Sequence, residues 1–143
     1  MDAAETGHLV LGAMHTKDPL DTVARLVEFF PESRQATVRR QIAGLLKGVI
    51  SQRLLDTADG TGRVLATEIL TGYGRVVELI AEGADQARLI EAVKESEFFG
   101  MQTFDQALLH LVSQRRVTVP TALPYVRNTH EFRAKAQEAG VDV

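Results

Sequence analysis

Two histidines near the start of the chain, His8 and His15, are the side chains best suited to do chemistry. Imidazole changes charge near neutral pH, ligates metals and can donate a hydrogen bond to a phosphate. Both lie in the stretch Glu5-Thr6-Gly7-His8-Leu9-Val10-Leu11-Gly12-Ala13-Met14-His15-Thr16. A zinc pair does not fit this spacing. On a strand, residues seven apart point to opposite faces, and no carboxylate or thiol at ligand spacing completes a site. From the residues alone, the plain reading is one packed and one loop histidine, with no metal. His110 and His130 fall in a helical stripe and near a helix start, where structural or solvated roles suffice. Glu5 and Glu68 could be polar groups at a cleft, although a capping or solvated role is simpler. Gly100-Met101-Gln102-Thr103 could form a recognition loop, but helix-entry chemistry accounts for it.

Other chemistries are absent from the sequence. No G-x-x-x-x-G-K-[ST] loop occurs; Gly60-Thr61-Gly62 and Gly72-Tyr73-Gly74 lack the lysine and the correctly spaced helix start that would cradle phosphates. No serine triad or carboxylate pair stands out. The 143 residues contain no cysteine, which removes thiol catalysis and disulfides and fits a reducing compartment. A net charge of −3 argues against nucleic acid as a partner. No stretch approaches the roughly 18 to 20 apolar residues of a membrane helix. Neither a basic N-terminal region nor a signal-like apolar run is visible. The default location is the cytoplasm.

These residues need elements to position them. Residues 8–14 predict a strand apolar on both faces, which belongs inside a sheet covered on both sides. Asp18 as N-cap, Pro19 at the first helical position and Asp21 in the first turn open a helix with Leu20, Val23, Val27 and Phe30 on one face. Pro31 restarts the chain. Val38, Ile42, Leu45, Leu46 and Val49 predict a longer helix ending near Ser51, with Arg34, Arg39, Arg40 and Lys47 largely off its apolar stripe. Segments 53–56 and 63–70 flank Asp59-Gly60-Thr61-Gly62 as a hairpin, its second strand mostly buried on both sides. From Gly72 the pattern is helical. Gly83 is a stop, Leu89, Ile90 and Val93 mark a helix, and Thr103 with Gln106 forms a capping box ahead of Phe104, Leu108, Leu111 and Val112. Thr118 caps a short segment that Pro124 interrupts, and Gly140 stops a last polar helix starting at Thr129.

Several segments in this order resemble the motor ATPases of type IV pilus retraction and type II secretion, above all the retraction (twitching motility, PilT-like) branch. They are the histidine box at 5–16; Thr22, Arg25 and Phe30-Pro31; Val38-Arg39; Gly48-Val49-Ile50-Ser51-Gln52; Gly62-Arg63-Val64 with Glu68; and Gly100-Met101-Gln102-Thr103 leading into Asp105-Gln106-Ala107-Leu108. The resemblance covers nearly the whole chain. It implies that His8 and His15 couple nucleotide state to movement, with Thr6, Gly7 and Thr16 beside the nucleotide. The retraction motif Ala-Ile-Arg-Asn-Leu-Ile aligns with Arg75-Val76-Val77-Glu78-Leu79-Ile80, where Val77 and Glu78 replace the Arg and Asn. That departure bears on retraction itself.

The implied fold is α/β: the C-terminal half of a RecA-like P-loop ATPase core over residues 1–71, then a small all-helical bundle over residues 72–143. The implied function is that of the C-terminal portion of a hexameric ATPase coupling ATP hydrolysis to pilus retraction. Without Walker A and Walker B, the portion alone is expected to be inactive. ATP and Mg2+ belong to the full-length motor, and no cofactor is expected for this chain alone. Expected partners are identical subunits and a pilus-base platform protein of the inner membrane. The chain would be peripheral to that membrane through partners, without direct insertion. The alternatives are a stand-alone helical module that binds a pilus or secretion motor, and a piece of a secretion or pilus-assembly ATPase. Because its strands want sheet partners, the chain is expected to be marginally stable or to self-associate.

Overall fold

The computed structural model describes residues 1–142. The elements run α1 (Asp2–Glu5), α2 (Pro19–Glu28), α3 (Glu32–Leu45), β1 (Gly48–Asp56), β2 (Arg63–Thr71), α4 (Arg75–Glu82), α5 (Gln86–Lys94), α6 (Phe104–Ser113), α7 (Val119–Ala122) and α8 (Thr129–Glu138). Short 3-10 turns lie at Glu97–Phe99 and Leu123–Tyr125. β1 and β2 pair in a two-stranded sheet. The chain forms two compact units, Met1–Ser51 with Ile69–Met101, and Gln52–Glu68 with Gln102 onward.

In the first unit, the Asp18 carboxylate accepts from the Asp21 amide at 2.9 Å, and Pro19 follows at the first helical position. Asp21 in turn accepts from the Lys17 amide at 3.0 Å. That bond foremost, aided by Arg25, holds the Asp21 carboxyl below its ordinary value. Leu20, Val23 and Val27 pack with Val38 and Ile42 of α3, Val76, Leu79 and Ile80 of α4, and Leu89 and Val93 of α5. Gly83 ends α4 in the left-handed region at φ +72°, as its position in the sequence predicts.

Two sequence expectations fail here, for the same kind of reason. α3 ends at Leu45, and Val49 lies in β1 instead of the helix stripe. The backbone of Gly72 crosses Leu46 so closely that a Cβ there would lie 1.7 Å from the Leu46 carbonyl oxygen. The Gly72 amide also donates to the Lys47 carbonyl at 3.2 Å, so the chain is already extended at Leu46. The expected strand at 8–14 does not form: residues 8–16 belong to no helix or strand. A strand needs a neighbour for its backbone groups, and β1 and β2 pair with each other. Leu9 and Leu11 are 75% and 86% exposed.

The second unit packs Leu55, Val64 and Ala66 of the hairpin with Phe104, Leu108, Leu111 and Val112 of α6, and Phe132 and Ala136 of α8. β2 alternates cleanly, with Val64, Ala66, Glu68 and Leu70 buried while Leu65 is exposed. The sheet is thus covered on one face of β2, not on both. The Thr103 capping box is present in full. Thr118 and Asn128 cap α7 and α8. After α6 the chain turns through Arg115 at φ +58°, a left-handed position where a side chain costs about 1 kcal/mol relative to glycine.

The hairpin loop is closed by Asp59. Its Oδ1 accepts from the Thr57 hydroxyl at 2.6 Å, the Thr61 amide at 3.0 Å and the Thr61 hydroxyl at 2.9 Å. These bonds, the Thr57 hydroxyl first, lower the Asp59 carboxyl from 3.8 to about 2. A depressed acid stabilises the fold fully above its unfolded value, and that contribution is lost as pH falls through the folded value. We therefore expect the Asp59 carboxyl carbon, followed by NMR, to titrate with a midpoint near 2. A midpoint near 3.8 would mean the loop bonds do not persist in solution.

Candidate functional site

The histidine-bearing segment leaves α1 through a turn. Gly7 takes φ +89°, and the Thr6 hydroxyl donates back to the Ala3 carbonyl at 3.0 Å, with the Asp2 carbonyl at 3.2 Å. Nδ1 of His8 lies 3.1 Å from the Ala3 carbonyl and 3.2 Å from the Thr6 hydroxyl. A carbonyl only accepts, so it selects the tautomer protonated on Nδ1. Nε2 is then the acceptor in neutral His8, and a donor when the ring is charged. The structure thus brings Thr6 and His8 together. His15 sits exposed at the far end of the same segment. Thr16 is tied to the start of α2: its hydroxyl lies 2.6 Å from that of Thr22, which donates to the Asp18 carbonyl at 3.1 Å. Thr22 has used its proton, so Thr16 is the donor of that pair.

On α4, Val76, Leu79 and Ile80 are buried and Val77 is partly buried. Arg75 and Glu78 are exposed, so the aligned retraction motif presents its charges outward and its Leu-Ile end to the core. Arg75 and Leu79 also line an open groove of about 350 Å³ with Ala87, Arg88, Glu91, Ala92 and Glu95 of α5 and its end.

The Gly-Met-Gln-Thr segment does structural work. Met101 is buried, Thr103 caps α6, and the Gln102 amide nitrogen donates to the Thr67 carbonyl at 2.9 Å and to its hydroxyl at 2.7 Å. Glu68, which the sequence leaves as capping or solvated, is 3% exposed. Arg127 grips it in a fork: Nη1 donates to Oε1 at 2.7 Å and Nη2 to Oε2 at 3.0 Å. The Arg127 amide donates to Asp105 at 3.1 Å. Nothing in the sequence signals Arg127 as this partner, 59 residues further on. Among the described residues, no group of three or more His, Cys, Asp or Glu side chains could hold a metal ion. Among the described residues, no helix is long and apolar enough to cross a membrane.

A histidine-bearing lead-in, a hairpin buried on one face and a run of short helices together form part of a RecA-like ATPase core followed by a helical part. The model of the Type II/IV secretion system protein family matches residues 1–138, and the chain belongs to that family. A twitching motility protein of Neisseria gonorrhoeae is 40% identical over 132 residues, which cover 92% of this chain and 35% of that protein. The type IV pilus ATPase PilU of Pseudomonas aeruginosa is 35% identical, covering 91% of this chain and 34% of that protein. The crystal structure of the pilus retraction motor PilT with bound ADP superposes with a TM-score of 0.77 at 38% identity, over 93% of this chain and 36% of that one. The chain spans about a third of the length of these relatives.

The buried fork makes a sharp prediction. Arg127→Met removes the cation from a buried carboxylate, and losing one partner of such a pair typically costs on the order of 3 kcal/mol. Urea unfolding should show that loss, and Glu68→Gln combined with Arg127→Met should recover most of it. A double-variant loss equal to the sum of the Glu68→Gln and Arg127→Met losses would mean the pair is not coupled.

Proposed function

We propose that this chain works as the C-terminal portion of a pilus motor ATPase subunit, in which ATP hydrolysis drives retraction. The single observation that carries this reading is the match of nearly the whole chain, in fold and in residue order, to the retraction motor PilT. The subunit would act in a hexamer of identical chains. It would work in the cytoplasm against a platform protein of the inner membrane at the pilus base. Residues 1–71 would belong to the ATPase core and residues 72–143 to a helical bundle that carries the retraction-motif stretch on α4.

The residues present do not fit a triphosphate by themselves. The sequence has no phosphate-binding loop, and the first turn of α2, next to the histidine segment, already holds the Asp18 and Asp21 carboxylates. ATP and Mg2+ are therefore assigned to the complete subunit. Within it, His8 has a tautomer set by Ala3, so its Nε2 accepts while the ring is neutral and donates when the ring is charged. His15 and Thr16 sit at the other end of an apolar run that lies outside any helix or strand. A histidine that donates to a developing phosphate charge can be worth about 100-fold in rate. Thr6, Gly7 and Thr16 would shape the backbone beside the nucleotide.

The test joins this chain to the preceding part of the gonococcal twitching motility protein and measures magnesium-dependent ATP turnover. The joined subunit should turn over. His8→Ala and His15→Ala should each cut turnover by about 100-fold while nucleotide binding, read with a fluorescent analogue, persists. Full turnover in both variants would remove the histidines from the mechanism. Saturable nucleotide binding by the 143-residue chain alone would refute the account of where the phosphates go.

A further inference from the structure

The surface formed by α4, α5 and the turn after it carries two features, and its groove is lined in part by Arg75 and Leu79 of the retraction-motif stretch. The first is aromatic. Phe98 is 94% exposed, the highest exposure of any large apolar side chain among the described residues. It meets Phe99 edge to face, with ring centroids 5.4 Å apart. Phe99 stacks on Tyr73 at 6.5 Å. The ridge is held in place: the Phe99 ring covers Gly74, where a Cβ would lie 3.2 Å from it, and the Phe99 carbonyl accepts from the Thr71 hydroxyl at 3.1 Å. Such rigid aromatic clusters are what binding hot spots are made of.

The second feature is charge. Between Arg75 and Phe99 the sequence carries six carboxylates and three cationic side chains, Arg75, Arg88 and Lys94. The difference equals the formal −3 of the whole chain, so the remainder is balanced. Two of the cations already have acidic neighbours: Arg88 stands 3.9 Å from Glu82, and Lys94 stands 3.7 Å from Glu91. Glu95 lines the α4–α5 groove, and Glu97 directly precedes the exposed Phe98. Leu79, Ala87 and Ala92 are the apolar part of the groove lining, and its volume of about 350 Å³ has room for an apolar side chain.

We propose that this surface docks a basic amphipathic segment of a partner protein. Lysine or arginine side chains of that segment lie over the Tyr73, Phe98 and Phe99 rings beside Glu95 and Glu97, and an apolar side chain enters the α4–α5 groove. The chemistry is specific in sign. Aromatic faces attract cations at about 0.5 to 2 kcal/mol each, and the local excess of carboxylates repels an acidic segment. This proposal goes beyond the motor reading and does not depend on it, because it needs neither nucleotide nor a hexamer.

The experiment uses the 143-residue chain and a fluorescein-labelled helical peptide of leucines and lysines, with a leucine–glutamate peptide as its counterpart. Fluorescence anisotropy should show saturable binding of the lysine peptide and none of the glutamate peptide. Amide NMR shifts should map that binding to residues 73–99. Phe98→Ala and Glu97→Gln should each weaken binding about 5-fold or more, whereas Leu11→Ala, an exposed apolar residue outside the surface, should not. The side chains of Phe98 and Glu97 are exposed, and the thermal unfolding midpoint of each variant checks that the fold is kept. Failure of the lysine peptide to bind would overturn the proposal. So would binding that Phe98→Ala leaves unchanged, because attraction by charge alone would then explain it.

Discussion

A strand cannot satisfy its own backbone, and that constraint governs this molecule. A helix closes its hydrogen bonds within itself, whereas a strand needs a neighbour on at least one side. β1 and β2 solve the problem for each other. Residues 8–16 have the composition of a buried strand, yet belong to no helix or strand. The consequence is a chain whose helices and hairpin are packed while its chemically suggestive histidines flank an exposed apolar run.

The packed part rests on a few exact approaches. Gly72 lets two backbone stretches touch beside Leu46, which stops α3 and starts the hairpin. On the hairpin, Glu68 takes an inward position between Ala66 and Leu70, and the Arg127 fork makes that burial tolerable. Asp105 holds the Arg127 backbone, and Asn128 caps α8 directly after it. One buried carboxylate therefore helps fix where the last helix begins. Whether such a pair adds net stability over an apolar pair is a separate matter, since desolvation offsets much of its attraction.

Much of this was legible in the sequence because it is local. The Asp18-Pro19 start, the Gly83 stop and the Thr103 capping box are each set within four residues, and each formed as read. The alternation in β2 also places Val64, Ala66 and Leu70 together, and the same parity points Glu68 inward. What stayed illegible is long-range. The Arg127 partner, the Gln102 clamp on Thr67 and the Gly72 crossing join residues far apart in sequence. The run at 8–14 departs from its sequence pattern for the complementary reason. Its pattern reports the environment it suits, and periodicity cannot say whether that environment is present.

In the proposed motor subunit, residues 9–14 would pair as a strand once a neighbouring sheet is present. Amide hydrogen exchange across these residues tests it directly, compared between the chain alone and the chain joined to the preceding part of a related retraction motor. The account predicts rapid exchange in the chain alone, and slowing by about 100-fold or more in the joined subunit. Strong protection in the chain alone, or no slowing on joining, would contradict it.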